Sequence, residues 1–298
     1  MSACIHYLRP CDLSDEGESK KKMKSTCLPR PKNPINLETT RLIAIDPGRT
    51  NIIFAAEELP DKMIKTCRLT RSQYYRESGI LDARKMSESW QRGLKRQLNT
   101  MSEASPKGVS LASFKRFLEA DLSVANALWK EYFKKRWAQQ RFRLYGGKMR
   151  VVAKFFNKMV NSNKDNRNLM VAYGASKFRS GGPGEVSVPT SKMYKACKER
   201  FETYPVDEFR TTRVHHEDDT ILDCVGRRNT DSGRVEAVRG LLWCGSTKQG
   251  NSKFVNRDLN GALNIRRCLL LSERPASLDR ASCTGQRLSK TIGKMIAI

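Results

Sequence analysis

Between Arg41 and Thr70 the chain sets three short apolar runs end to end, and few folds accept that arrangement. Leu42-Ile-Ala-Ile-Asp-Pro-Gly is an apolar run closed by a turn, Asn51-Ile-Ile-Phe-Ala-Ala-Glu is a second, and Lys62-Met-Ile-Lys-Thr-Cys-Arg-Leu-Thr alternates. Runs of this length between turn residues predict β-strands, and three in succession with short connections predict antiparallel pairing. Residues 84–160 break the pattern. There 18 Lys/Arg face five Asp/Glu, a net of +13, while Leu, Ala, Phe and Trp recur at helical spacing, which predicts three amphipathic helices with basic outer faces. Phe114, Phe117 and Leu118, then Leu128, Tyr132 and Phe133, then Phe155, Phe156 and Met159 form the apolar stripe. Its expected place is the core rather than a base-stacking platform.

Alternating elements follow. Asn168-Leu-Met-Val-Ala-Tyr-Gly reads as a buried strand, Phe178 to Gly184 as a loop, and Thr190 to Tyr204 as a helix ended by Pro205. Val206 to Val214 is a further strand candidate, residues 215–240 are polar and irregular, and Val238-Arg-Gly-Leu-Leu-Trp-Cys is the last strand. Asn256-Arg-Asp-Leu-Asn-Gly-Ala-Leu-Asn opens a helix with Leu259, Ala262, Leu263 and Leu270 on one side. Consecutive strands, a helical insertion, then alternating strand and helix predict a mixed α/β sheet.

The whole chain carries 56 Lys/Arg against 31 Asp/Glu, a formal charge of +25. Self-repulsion on that scale points to a polyanionic partner, nucleic acid first, and away from small-molecule metabolism. In the helical stretch so few acids are interleaved that Lys134, Lys135, Arg136, Arg141, Arg143 and Lys148 are candidate phosphate contacts. No apolar run approaches the ~18 residues of a membrane span, so no membrane partner is expected. Residues 1–37 read as a basic, Pro-rich tail without periodicity, in which Lys20, Lys21, Lys22 and Lys24 could serve nuclear import. No secretory signal precedes the nine unpaired cysteines, so the thiols are expected reduced, on the cytosolic or nuclear side.

Two carboxylates stand where chemistry would need them. Asp46 ends an apolar strand just before Pro47-Gly48, where a rigid strand can hold an oxygen ligand beside an open turn, although Asp in that place also simply starts turns. Asp258 enters the last helix, where a cap alone would explain one acid. The flanking Asn256, Arg257, Asn260 and Asn264 make the surroundings more polar than a cap requires, and Arg257 is a further candidate phosphate contact. With a third acid between them, these two would suit two-metal phosphodiester hydrolysis, with Mg²⁺ favoured by hard oxygen ligands.

Ile45-Asp-Pro-Gly-Arg-Thr-Asn, Val206-Asp-Glu-Phe-Arg-Thr-Thr and Phe254-Val-Asn-Arg-Asp-Leu-Asn-Gly-Ala-Leu-Asn-Ile resemble the first RuvC motif, the segment ahead of the zinc finger and the third RuvC motif of the Fanzor and TnpB proteins. These are transposon-associated, RNA-guided DNA endonucleases. The likeness runs over roughly residues 40–272. It implies an RNase H-like, RuvC-type mixed sheet with a long basic helical insertion and a degenerate zinc-finger insertion. It also implies DNA and guide RNA as partners, a nuclear setting, and Asp46, Glu208 and Asp258 as catalytic Mg²⁺ ligands. Glu185 and Asp207 remain alternatives for the third acid; on a strand Asp207 and Glu208 would face opposite ways. His215 or His216, with Asp218, Cys224 and Cys244, is the set left for Zn²⁺, and a degraded finger would leave residues 213–250 loose. The implied organisation is a tail over 1–37, RuvC-like pieces at 38–83, 161–212 and 251–272, the helical insertion at 84–160, the finger-like insertion at 213–250 and a tail over 273–298. The nuclease region begins after only about 40 residues, so the chain reads as N-terminally truncated. A catalytically silent nucleic-acid-binding relic is the rival reading, and oligomeric state is left open.

Overall fold

The computed structural model describes residues 28–105, 110–161, 167–176, 188–230, 233–245, 252–284, 288 and 291–296. Glu185, the loop around it and the lysines at 20–24 lie outside the described residues. The three apolar runs form β1 (Thr40–Pro47), β2 (Asn51–Glu58) and β3 (Ile64–Thr70). Helices α1 (Arg71–Glu77), α2 (Ile80–Trp90), α3 (Lys95–Glu103), α4 (Leu111–Tyr132) and α5 (Lys135–Asn161) follow, then β4 (Asn168–Gly174), α6 (Thr190–Lys198) and β5 (Glu202–Val206). The chain continues through β6 (Asp223–Arg228), β7 (Val235–Cys244), β8 (Lys253–Asn256), α7 (Arg257–Leu270) and β9 (Ile292–Ile296). Among the described residues no helix is long and apolar enough to cross a membrane.

The result is a mixed α/β structure with two mixed sheets. The first has the order β3-β2-β1-β4-β5, antiparallel from β1 to β3 and parallel from β1 through β5. Strand alternation decides its layers. Ile43, Ile45, Val171 and Tyr173 point to one face, under Val151, Phe155, Phe156 and Met159 of α5 and Met193 of α6. Leu42, Ala44, Met170 and Ala172 point to the other, under Ala262, Ile265, Cys268 and Leu269 of α7. With both faces covered the strands read as continuous apolar runs, and each fully buried Ile or Phe contributes about 1.5–3 kcal/mol relative to exposure. A buried ion pair closes the first layer: Arg41 binds Glu57 through two nitrogens and donates to the Val160 and Met159 carbonyls at 3.2 and 3.3 Å, tying β1 to the end of α5.

Several expectations are corrected. The helix expected over Thr190–Tyr204 stops at Lys198, and Glu202–Val206 is a strand that contains Pro205. Proline is tolerated there because β5 is the outermost strand of its sheet. Residues 207–214 are turns instead of a strand, apart from the bridge of Val214 to Ile221. The segment expected to be irregular and loose supplies β6 and β7, which join β8 and, from the expected C-terminal tail, β9 in a second sheet, β8-β7-β6-β9. Its core is Leu222, Leu242, Cys244 and Val255. The basic stretch contains four main helices, α2 to α5, where three were expected. Phe155, Phe156 and Met159 are core, but Phe114, Leu118 and Phe133 are exposed. Single-period reasoning grants a helix one apolar face, and α4 has two.

The backbone after β5 is fixed by α7. Asn260 and Asn264, one turn apart, each donate from Nδ2 to the carbonyls of Thr211 and Val214 at 2.7–3.0 Å. Asn260 Oδ1 accepts from the His216 backbone N–H at 3.0 Å. Their polarity therefore serves the loop that carries Glu208. Asn260→Ala strands the half-buried His216 N–H and removes a buried donor to the Thr211 and Val214 carbonyls, with an expected cost of about 1–3 kcal/mol, readable as a lowered urea midpoint.

Candidate active site

Because β1, β4 and β5 run parallel, their carboxyl ends open on one edge of the sheet, where α/β folds gather ligand-binding groups. Asp46 lies one residue before the end of β1 and, by alternation, faces the side covered by α7. Ser176 and Glu208 each follow their strand by two residues, and Asn51 opens β2 at the same edge. Asp258 arrives from α7. There the Asn256 side chain accepts from the N–H groups of Asp258 and Leu259, so Asp258 sits in the first turn, where the helix dipole favours a negative charge.

These residues line one cavity of about 580 Å³, whose wall holds Asp46, Glu208 and Asp258 together with Arg49, Arg239 and Arg257. Asp46 is 8 % exposed. Burial, and then the carboxylates of Glu208 and Asp258, push its pKa well above the usual carboxylate range, against the pull of Arg257. Burial also raises Glu208, against the two bonds it accepts from Ser176, one from the backbone N–H at 3.0 Å and one from Oγ. Asp258 Oδ2 accepts from Asn51 Nδ2 at 2.6 Å. Asp207 turns away to Arg280, which binds it through two nitrogens at 2.7 and 2.9 Å and, though burial opposes it, holds its pKa down. Two glycines make room for the carboxylates. A Cβ on Gly174 would overlap Glu208 Oε1 and stand 2.7 Å from Pro47 Cδ, and one on Gly261 would stand 2.7 Å from Asp46 Oδ2.

As placed, no three His, Cys, Asp or Glu side chains among the described residues are grouped closely enough to share a metal ion. The donor chemistry at the cavity nevertheless suits a hard cation. All three acids offer oxygen, glycines clear the space against two of them, and their mutual repulsion is what a divalent ion would relieve. The zinc set is a different case. His215 is buried and its Nδ1 lies 2.9 Å from Asp218 Oδ1; Cys244 sits in the apolar cluster of the second sheet; Cys224 pairs across β6 and β7 with Leu242. His216 Nδ1 lies 3.3 Å from Asn260 Oδ1. His215 and Asp218 meet each other, but no third member of the set joins them among the described residues.

The candidate phosphate contacts divide. Lys134 and Arg136 both bind Glu131, whose pKa they hold down at about 2, and Arg136 also lies 4.9 Å over the Trp90 ring. Lys135, Arg141 and Arg143 are exposed, Lys148 is half-buried and Arg257 is exposed at the cavity. No described residue of the stretch 84–160 lines the cavity; α5 covers the opposite face of the sheet. The arginines beside the carboxylates are Arg49, Arg239 and Arg257. Arg49 stood in plain view in Asp-Pro-Gly-Arg. Arg239 gave no sequence signal, because its position depends on how the second sheet packs.

No family model matches the chain, and no curated protein is similar to it. Among solved structures, the chain is similar to that of Alicyclobacillus acidoterrestris C2c1 in complex with single-guide RNA, at 9 % identity and a TM-score of 0.37 over 82 % of this chain. It spans 40 % of that protein's chain. A likeness of that degree fixes neither family nor activity.

Proposed function

We propose that this chain is a metal-dependent nuclease module that hydrolyses phosphodiester bonds in DNA. The observation that carries the reading is the gathering of Asp46, Glu208 and Asp258, from three separated segments, around one cavity that also holds three arginines. A sheet edge of this kind fits the RNase H-like class implied by the motifs. Asp46, Glu208 and Asp258 would hold Mg²⁺. When bound, paired Mg²⁺ ions lower the pKa of an attacking water and stabilise the departing oxygen. The chain's own residues do the rest. Strand β1 fixes Asp46, Ser176 orients Glu208, Asn51 orients Asp258, and the exposed Arg49, Arg239 and Arg257 attract and seat the phosphate. The exposed Lys135, Arg141 and Arg143 on α5 would hold more distant backbone. Membership of the Fanzor/TnpB class, with target choice by a guide RNA, rests on the three motif resemblances.

The test is purified protein with Mg²⁺ and single-stranded DNA. Cleavage that disappears in Asp46→Ala and Asp258→Ala supports the reading. Binding that weakens with salt, with no cutting at any metal concentration, overturns it in favour of a silent nucleic-acid binder. Glu208 is tested separately through its glycine neighbour. In Gly174→Ala the new methyl meets Glu208 and the rigid ring of Pro47, so the carboxylate must shift. Cleavage is expected to fall about 10²-fold, the usual cost of a misplacement near 1 Å, while circular dichroism stays native. Full activity would remove Glu208 from the mechanism.

A further inference from the structure

Helix α4 carries a second apolar face that nothing among the described residues covers. It starts on a Ser110 cap and packs on α3, with Val124 buried. Yet Leu111, Phe114, Leu118, Leu122, Trp129 and Phe133 are 40–74 % exposed. With Ala125 filling the one gap, the positions run 111, 114, 118, 122, 125, 129 and 133, steps of 3, 4, 4, 3, 4 and 4. At 100° per residue all seven fall within one stripe about 100° wide, its centre about 130° round the helix from Val124. An 11-residue repeat averages about 3.67 residues per turn, close to the helix's own 3.6, so a second helix can follow the stripe along its full length with little supercoiling. A heptad would drift off a straight partner. The side chains make the stripe continuous, with Trp129 and Phe133 stacked at 4.7 Å. The exposed apolar surface is on the order of 700 Å² per copy, more than isolated surface residues account for and near the ~800 Å² per partner of a standard interface.

Charge selects the occupant. Helix α5 carries eight Lys/Arg and no Asp/Glu. On α4, Lys115, Arg116 and Lys130 are balanced by Glu119, Asp121 and Glu131, a net of zero. In a chain of +25, a neutral apolar face is poorly suited to a polyanion. It is well suited to another copy of the same chain, because two copies would repel through a basic surface such as that of α5 but not through this one. The repeat is also close to symmetric about Leu122, with Leu111 and Phe133 equally far from it, so the stripe can meet itself across a two-fold axis with Leu122 at the centre. We propose that α4 is a homodimerisation helix, pairing along Leu111–Phe133 with α4 of a second copy.

The full chain at about 100 µM, measured by size-exclusion chromatography with light scattering, is expected to have the mass of a dimer. The double variant Leu118→Glu/Leu122→Glu is expected to be a monomer, with dimerisation weakened at least about 10²-fold by charge at the interface centre. Trp129→Glu should act in the same direction. All three residues are exposed, so circular dichroism is expected to match the parent. A monomeric parent at that concentration overturns the proposal, as does a dimer that survives in both variants. A parent that is monomeric but loses single-stranded DNA binding in the double variant would assign the stripe to nucleic acid instead.

Discussion

Replacing Asp46 by asparagine is expected to raise the melting temperature of the metal-free protein while removing phosphodiester cleavage. Asp46 is buried, and Glu208 and Asp258 both act on it in the same unfavourable sense. The sign of the pH dependence follows. A carboxylate whose folded pKa lies above its unfolded value near 3.8 binds more protons folded than unfolded across that interval. Stability therefore falls as pH rises through it and stays at the lower level beyond. Asparagine has no charge to desolvate, so parent and variant should melt alike in acid and separate towards neutrality. The expected gain is about 0.5–2 kcal/mol, at roughly 2–4 °C per kcal/mol for a protein of this size. If Asp46 serves as the proposed metal ligand, the same change removes its charge and one of its two oxygens, and cleavage should fall on the order of 10³-fold or more, the scale of the several kcal/mol that metal charge supplies. Equal melting temperatures at every pH would show that the three carboxylates do not burden one another. Full cleavage by the variant would remove Asp46 from catalysis.

The largest expected loss of stability lies away from the cavity, at Arg41. Its side chain is 3 % exposed and bound to Glu57, itself 5 % exposed, so Arg41→Ala takes from a buried carboxylate its two-nitrogen partner and frees two carbonyls at the end of α5. Breaking a buried pair from one side costs about 3–5 kcal/mol, enough to unfold many domains at physiological temperature. The double variant Arg41→Met/Glu57→Leu should regain most of that, because the pair's own worth is small once both charges are gone. It should not regain all, since the Met159 and Val160 carbonyls still lack their donor. Equal destabilisation in the single and double variants would show that the contacts to α5, not the ion pair, carry the cost.

How far these features could be read without coordinates depends on the range of the interaction that sets them. Strands β1 to β3 were legible because apolar runs and turns are local. Pro205 misled because a proline ends a helix in isolation, whereas its tolerance in β5 depends on that strand lying at the edge of the sheet. Of the second sheet only β7 was legible, as the strand at residues 238–244, and the rest was missed for a similar reason. Its strands β6 and β7 carry exposed residues such as Arg228, Val235 and Glu236, and their pairing substitutes for a strong apolar pattern. Asp46 and Asp258 were legible as sites because each ends an apolar element. That they share a cavity follows from the parallel order β1-β4-β5 and from α7 crossing behind it, neither of which is written in local sequence. Asn260 and Asn264 were visible as excess polarity, but their task, holding the Thr211 and Val214 carbonyls, needed the fold. The basic stretch misled most. Its charge lies largely on α5, across the sheet from the carboxylates, and the cations that reach them come from a turn, from β7 and from the start of α7.

The central claim is that Asp46, Glu208 and Asp258 act as one divalent-cation site, and Mn²⁺ binding measured by electron paramagnetic resonance tests it without requiring a substrate. The expected result is about two ions bound per chain, with binding lost or sharply weakened in each of Asp46→Asn, Glu208→Gln and Asp258→Asn. No bound Mn²⁺, or binding that survives all three substitutions, would contradict it.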